Sequence, residues 1–153
     1  MNDNLCPNGT ICNAFSTCAT PQYTVSNDTV TDDVTGLVWQ RDVAPGGSVY
    51  TFDATGTSTT SAQYYCANLN LGGYQVGTWQ VPSLNQLFTI VLAGGPANQP
   101  TIDQTAFLGT PYGASFRTST EYQDASSAWT LTFQNGHASY GLGTFGCSLR
   151  CVH

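Results

Sequence analysis

Charge is what this sequence most lacks. Charged side chains make up 8% of its 153 residues, against about 25% in an ordinary soluble protein. Lysine is absent, so positive charge rests on Arg41, Arg117 and Arg150 alone. At a net charge of −6 there is no basic cluster to neutralise phosphates, which argues against nucleic acid. Anionic membranes and sulfated polymers are disfavoured on the same ground. Imidazole is equally scarce, with His137 and the near-terminal His153 the two histidines, and Glu121 is the single glutamate. Neither Gly-x-Ser-x-Gly nor His-Glu-x-x-His occurs, and no two cysteines are spaced Cys-x-x-Cys, so zinc and thioredoxin-type chemistry find little support. The expectation is a non-catalytic protein. No apolar run approaches the roughly 20 residues that span a bilayer, so membrane insertion is not expected. No signal-peptide pattern opens the chain, and Met1 is expected to begin a mature protein whose export signal has been removed.

Thr, Ser, Asn and Gln take over the task of solubility. Six cysteines (Cys6, Cys12, Cys18, Cys66, Cys147 and Cys151) form an even set. Three disulfides in an oxidising compartment are the expectation, which places the protein outside the cell or on its surface. Glycosylation sequons occur at Asn8 and Asn27. Residues 1–22 read as a cysteine-rich lead without periodicity, and residues 23–153 as the main domain. Three cysteines in the lead cannot all pair among themselves, so at least one must reach the main domain.

Two short amphipathic helices are written between Ser61 and Leu92. Ala62, Tyr65, Cys66 and Leu69 fall on one helical face. Thr60 or Ser61 is placed to cap its start, and Gly72-Gly73 permits its exit. Ser83 and Gln86 make a capping box for the second helix, whose buried stripe is predicted to be Leu84, Leu87, Phe88, Val91 and Leu92. Elsewhere the pattern is strand-like. Thr24 to Thr31 leads through the turn Asp32-Asp33-Val34-Thr35-Gly36 into Leu37-Val38-Trp39-Gln40. Strands are predicted over 114–120 and 128–133, then from His137 to Gly141 after the hairpin signal Asn135-Gly136, and over 147–152. Trp39, Trp79 and Trp129 sit in apolar alternation and are predicted to be core. Residues 94–113 form a long irregular stretch, of the kind that often carries function.

Candidate contact residues come from aromatic and polar side chains near loops. They are Tyr112, Arg117, Tyr122, Gln123, Asp124, Asn135, His137 and Tyr140. Calcium needs six to eight converging oxygens, and Asp32, Asp33 and Asp103 are weak candidates for it. No cofactor is otherwise implied.

Several blocks in order resemble the bacterial DUF1566 family, also called the Legionella collagen-like protein C-terminal domain, Lcl_C. They are Val30 to Gln40, the run Tyr65-Cys66-x-x-Leu69-x-Leu71-Gly72-Gly73-Tyr74, and Trp79-x-Val81-Pro82-Ser83-x-x-x-Leu87. Ser119 to Tyr122, Ala128-Trp129-x-x-x-Phe133 and Leu149-Arg150-Cys151-Val152 complete the series. The resemblance runs from roughly Tyr23 to the end. It implies an α+β, C-type-lectin-like fold, with two short helices flanking twisted antiparallel β-sheets, stapled by disulfides. It also implies a bridge from Cys66 to Cys151, leaving Cys147 to one of Cys6, Cys12 and Cys18. Where the family often has Trp-Ser-Ser-Thr, this chain has Phe116-Arg117-Thr118-Ser119-Thr120. The calcium-lectin motifs Glu-Pro-Asn, Gln-Pro-Asp and Trp-Asn-Asp are absent.

The resemblance points to a secreted or surface-exposed recognition and adhesion domain. Its ligand would be a glycan or a protein surface, bound by loops and the last hairpin. The alternative is a structural subunit of a surface appendage, a homo-oligomer or polymer. An enzyme related to formylglycine-generating enzymes is a third reading, for which no reactive cysteine pair is identifiable.

Overall fold

A computed structural model of the chain describes residues 22–93 and 97–153, with the backbone of Ile11–Cys12 and Cys18–Ala19. Those two short segments, β1 and β2, pair antiparallel with Cys12 opposite Cys18. The remainder of the lead, including the proposed pairing of Cys147 with Cys6, Cys12 or Cys18, lies outside the described residues.

Two three-stranded antiparallel sheets and two short helices make an α+β arrangement. The first sheet has the order β3 (Tyr23–Val25), β4 (Thr29–Asp32), β5 (Val38–Gln40). The sequence reading had one strand from Thr24 to Thr31, whereas the chain turns within it. Ser26 is the cause: its amide donates to the Thr29 carbonyl at 2.9 Å, and its hydroxyl meets the Thr29 hydroxyl at 2.7 Å. The Asp32–Gly36 turn forms as expected from its residues. Asp32 accepts from the Val34 amide at 3.0 Å and the Thr35 hydroxyl at 2.8 Å.

Helix α1 covers Ala62–Ala67, with Ser61 accepting from the Tyr64 amide. Helix α2 covers Leu84–Thr89, and both halves of the Ser83–Gln86 capping box are present. The second helix stops at Ile90, earlier than its apolar pattern suggested. Leu87 and Ile90 are buried, while Phe88, within the helix, and Leu92, past its end, are exposed. Six residues are too few to hold a helix by themselves; both helices depend on packing.

The second large sheet has the order β6 (Ser115–Tyr122), β7 (Asp124–Thr132), β8 (His137–Leu142). The β7–β8 connection runs over residues 133–136, since Thr132 pairs with His137. Gly136 sits at φ 69°, and a Cβ there would lie 2.9 Å from Val91 Cγ1. Both backbone and space therefore require glycine.

The two sheets and α2 enclose one apolar cluster, built on Val30, Trp39, Leu87, Ile90, Phe107, Phe116, Leu131 and Phe133. A second cluster surrounds α1 with Trp79, Val81, Leu149 and the cystine. The predicted last strand is an extended segment that laces the parts together. Tyr50 and Cys147 exchange both backbone bonds at 3.0 Å, Arg117 donates to the Ser148 carbonyl at 2.9 Å, and Val152 bonds Gln80. Cys66 and Cys151, both fully buried, form a disulfide across 85 residues. This is the pairing that the resemblance implied.

Candidate functional site

The β6–β8 sheet, hereafter the third sheet in chain order after β1–β2 and β3–β5, carries every well-placed candidate, because its alternation sorts side chains to two sides. Phe116 pairs with Leu131, and both point into the core. Arg117 pairs with Thr130, and Thr130 with Ser139. That row therefore faces the opposite side.

At the β6–β7 end stands an aromatic group. Tyr122 and Tyr140 are stacked, with centroids 3.8 Å apart and planes 13° from parallel. Trp129 meets each edge-on, at 5.2 and 5.8 Å. Such edge-to-face contacts suit the ring quadrupoles and hold the stack in one geometry. The sequence placed Trp129 in the core, but it is only half-buried. It shares the core-facing parity of Leu131, two residues nearer the sheet's end, where α2 no longer covers it. Tyr140 is 57% exposed. A hydrogen bond to Tyr140 pushes the Tyr122 hydroxyl above the ordinary phenol range. Gln123, at φ 60°, makes the tight turn that brings Tyr122 opposite Asp124.

The other side of the sheet holds a pocket of about 350 Å³, lined among others by Ser115, Arg117, Thr130, Ser139, Phe145 and Cys147. The chain from Gly143 to Cys147 folds over this face. Gly143 is clamped between the Ser126 carbonyl and the Phe52 amide, each at 2.7 Å. Gly146 passes so close to Ser48 that a Cβ would fall 2.3 Å from its carbonyl oxygen.

Arg117, a candidate ligand-binding residue, is 1% exposed: its position in β6 turns the side chain beneath the 143–147 chain. Its Nη2 donates to the Phe145 carbonyl, while Nε and Nη1 have no acceptor among the described residues. Burial lowers its pKa, opposed by the neighbouring Cys147. Burial likewise raises the Cys147 thiol. No carboxylate among the described residues bonds Arg117. Cys147 carries no disulfide among the described residues.

Arg150 contrasts with it. It too is buried, but it donates to the carbonyls of Gln40 (2.7 Å), Arg41 and Leu108 (3.1 Å), and to the Thr110 hydroxyl at 3.0 Å. Phe107 stacks beneath it at 5.2 Å. Burial brings its pKa down to about 9. Its role is to tie the C-terminal segment to the 108–110 loop.

The remaining candidates separate. Tyr112 accepts from Gln134 Nε2 at 3.3 Å, and Asn135 accepts from the His137 amide at 3.1 Å. These three exposed residues stand at the β7–β8 turn, about 27 Å along β7 from Tyr122 by strand rise. The Asp124 side chain lies outside the described residues. Much of the 94–113 stretch covers the core instead of presenting a surface: Ile102, Ala106 and Phe107 are buried.

The calcium candidates do not converge. Asp32 is occupied in its turn, Asp33 accepts from the Thr24 hydroxyl, and Asp103 accepts from Thr105 and the Ala106 amide. Among the described residues no three His, Cys, Asp or Glu side chains come together as a metal site. No helix there is long and apolar enough to cross a membrane.

Sequence reasoning missed Ser115, Thr130, Ser139 and Cys147 as neighbours of Arg117. Polar residues at alternate strand positions were visible, but only the register unites them. Comparison with known families matches residues 28–153 to the Lcl C-terminal domain. No curated protein matches the chain.

Proposed function

We propose that this chain, which belongs to the Lcl C-terminal domain family, is a non-catalytic recognition domain of a bacterial surface. The family supports the surface association. A C-type-lectin-like architecture and secretion or display outside the cell complete the reading. Its ligand is a glycan, gripped at the β6–β7 end of the third sheet. The observation that carries this is the stack of half-buried Tyr122 on exposed Tyr140, braced edge-on by Trp129. A sugar ring offers an apolar C–H face to such a surface and hydroxyls to its polar rim. Because the rings are already fixed on strands, little ordering cost opposes binding. No metal enters the reading, so a chelator is expected to leave binding unchanged.

The test is a glycan array probed with the wild type and with Tyr140→Ala. Selective binding is expected, weakened at least about tenfold by the substitution, with the melting temperature nearly unchanged. A flat response across neutral and acidic sugars would sink the glycan reading.

One observation favours an appendage subunit as the second reading. Among the described residues strand β8 ends its sheet, with β7 its one neighbour in the strand order, and an open edge can accept a strand from another copy. Native-particle sizing separates the two, since an ordered polymer supports the subunit.

A further inference from the structure

We infer that β8 is a self-pairing edge: two copies of the chain join antiparallel through it, Tyr140 opposite Tyr140 on a two-fold axis, so that one continuous sheet carries both aromatic stacks. The open edge then closes on itself instead of propagating a polymer. The pairing goes beyond the glycan reading and does not depend on it.

Backbone parity defines what the edge offers. The Gly143 amide donates to the Ser126 carbonyl at 2.7 Å, and the β7–β8 register extended by one residue sets these two opposite each other. Bonded residues alternate along an antiparallel ladder, so Gly141 and Ser139 also turn their backbone groups to β7. The Thr130 hydroxyl, which donates to the Ser139 carbonyl, agrees with that parity. The backbone groups of Ala138, Tyr140 and Leu142 therefore point outward. The Leu142 carbonyl accepts from the Phe145 amide at 3.1 Å and keeps a second lone pair. A set centred on residue 140 is its own complement. Turned about a two-fold axis, Tyr140 meets Tyr140 and Ala138 meets Leu142.

Among the described residues nothing guards this edge. Sheet edges are commonly blunted by Lys, Pro, bulges or a covering segment. Strand β8 reads His-Ala-Ser-Tyr-Gly-Leu and pairs with β7 without a register shift. The far edge is covered, since the Arg117 amide bonds the Ser148 carbonyl and the Ser119 amide the Pro82 carbonyl, each at 2.9 Å. With a single open edge in this sheet, self-pairing stops at two copies.

Charge favours a second copy as the occupant. At a net charge of −6 two copies repel in general, yet no Asp or Glu follows Asp124 in the sequence. Strand β8 and the segment after it thus carry no acidic side chain, and two acidic chains can meet there without opposed like charges. Exposed apolar side chains lie at the same place. Leu142 and Phe145 are 55% and 62% exposed, and Phe145 lies over Gly141, 3.6 Å from where a Cβ would sit. The two Tyr140 Cα atoms would stand about 5.5 Å apart with both side chains on one face, so each copy adds its Tyr140 to the other's platform.

The test is sedimentation equilibrium of the wild-type chain from about 1 μM to 1 mM, with isotope-filtered NOE spectra of a mixed labelled sample. A short edge lies at the low end of specific interfaces, below about 1,200 Å², so a dimer with a Kd roughly in the micromolar range is expected. Its signature is an NOE from Ala138 of one copy to Leu142 of the other. Ala138→Pro removes an outward amide and should weaken the dimer at least about tenfold. Leu142→Lys, which charges the edge, should do the same, and the wild-type measurements stand even if neither variant folds. A monomer at every concentration, a dimer without the Ala138–Leu142 contact, or a dimer that both folded variants leave intact overturns the inference. An open polymer overturns it too, in favour of the appendage subunit. If a strict monomer still binds glycans on the array, this inference fails and the glycan reading stands.

Discussion

Removing the Cys66–Cys151 bridge is the perturbation whose size the structure sets most directly. Cys66 lies on the buried face of α1, and Cys151 lies in the C-terminal segment that bonds both Gln40 and, through Val152, Gln80. The bridge closes a loop over a sequence separation of 85 residues. Chain entropy for a loop of that length gives about 4.6 kcal/mol of stabilisation, the upper end of what such bridges deliver. Residual structure in the unfolded chain lowers the figure, so a loss of about 3–4.6 kcal/mol is expected. Against a typical domain stability of roughly 5–15 kcal/mol, that is a large fraction. The double variant Cys66→Ala/Cys151→Ala is the right one, because a single removal leaves a thiol free to exchange with Cys147. Equilibrium unfolding in urea, compared between wild type and double variant, reads the difference. Hydrogen exchange adds a local signature: amides of α1 and of residues 150–153 should lose protection before those of β7. A loss below about 1 kcal/mol, or uniform loss of protection, would show that the bridge is not what holds α1 to the C-terminal segment.

Three other outcomes follow from particular side chains. Arg150→Met strands the four acceptors of its guanidinium and should cost about 3–5 kcal/mol in the same unfolding assay; a change under about 1 kcal/mol would contradict its structural role. Gly136→Ala forces a Cβ into the left-handed region and against Val91, with an expected cost of about 1–2 kcal/mol, read as a lowered denaturant midpoint. Burial raises Tyr50 to about 12 and raises Tyr65 as well. The unfolded chain releases these protons near the ordinary phenol value while the folded one keeps them, so stability should fall as pH rises above about 10. Tyrosinate absorbance followed alongside circular dichroism checks the order; full ionisation without any loss of fold would refute it.

Much of the frame was legible because local chemistry decides it. Ser61 and Ser83 cap their helices whatever the surroundings, and Asp32 with Gly36 closes its turn through its own side chain and backbone. The identity of Trp39 and Trp79 as core followed from apolar alternation. Trp129 obeyed the same pattern and still came out half-buried, since alternation gives a side but not what covers it. Ser26 split a predicted strand because a short-range hydroxyl bond outweighed a β-favouring composition. Leu92 lay on a helical face only for as long as the helix lasted, and Phe88, inside the helix, is exposed because the core covers the Leu87 side of it.

What the sequence determined by itself is a lysine-free, cysteine-bearing chain of two capped helices and several hairpins, in the family order of its motifs. Those are properties of composition, short-range bonds and spacing, and none requires distant residues to meet. The tertiary structure alone decided the candidate site. Tyr122 and Tyr140, 18 residues apart, stack only because β6 and β8 flank β7 in one register. Arg117 and Arg150 are the same residue type in similar strand-like sequence. One ends among carbonyls and the other beneath the 143–147 chain, because burial and hydrogen bonding depend on which segments cross above each side chain.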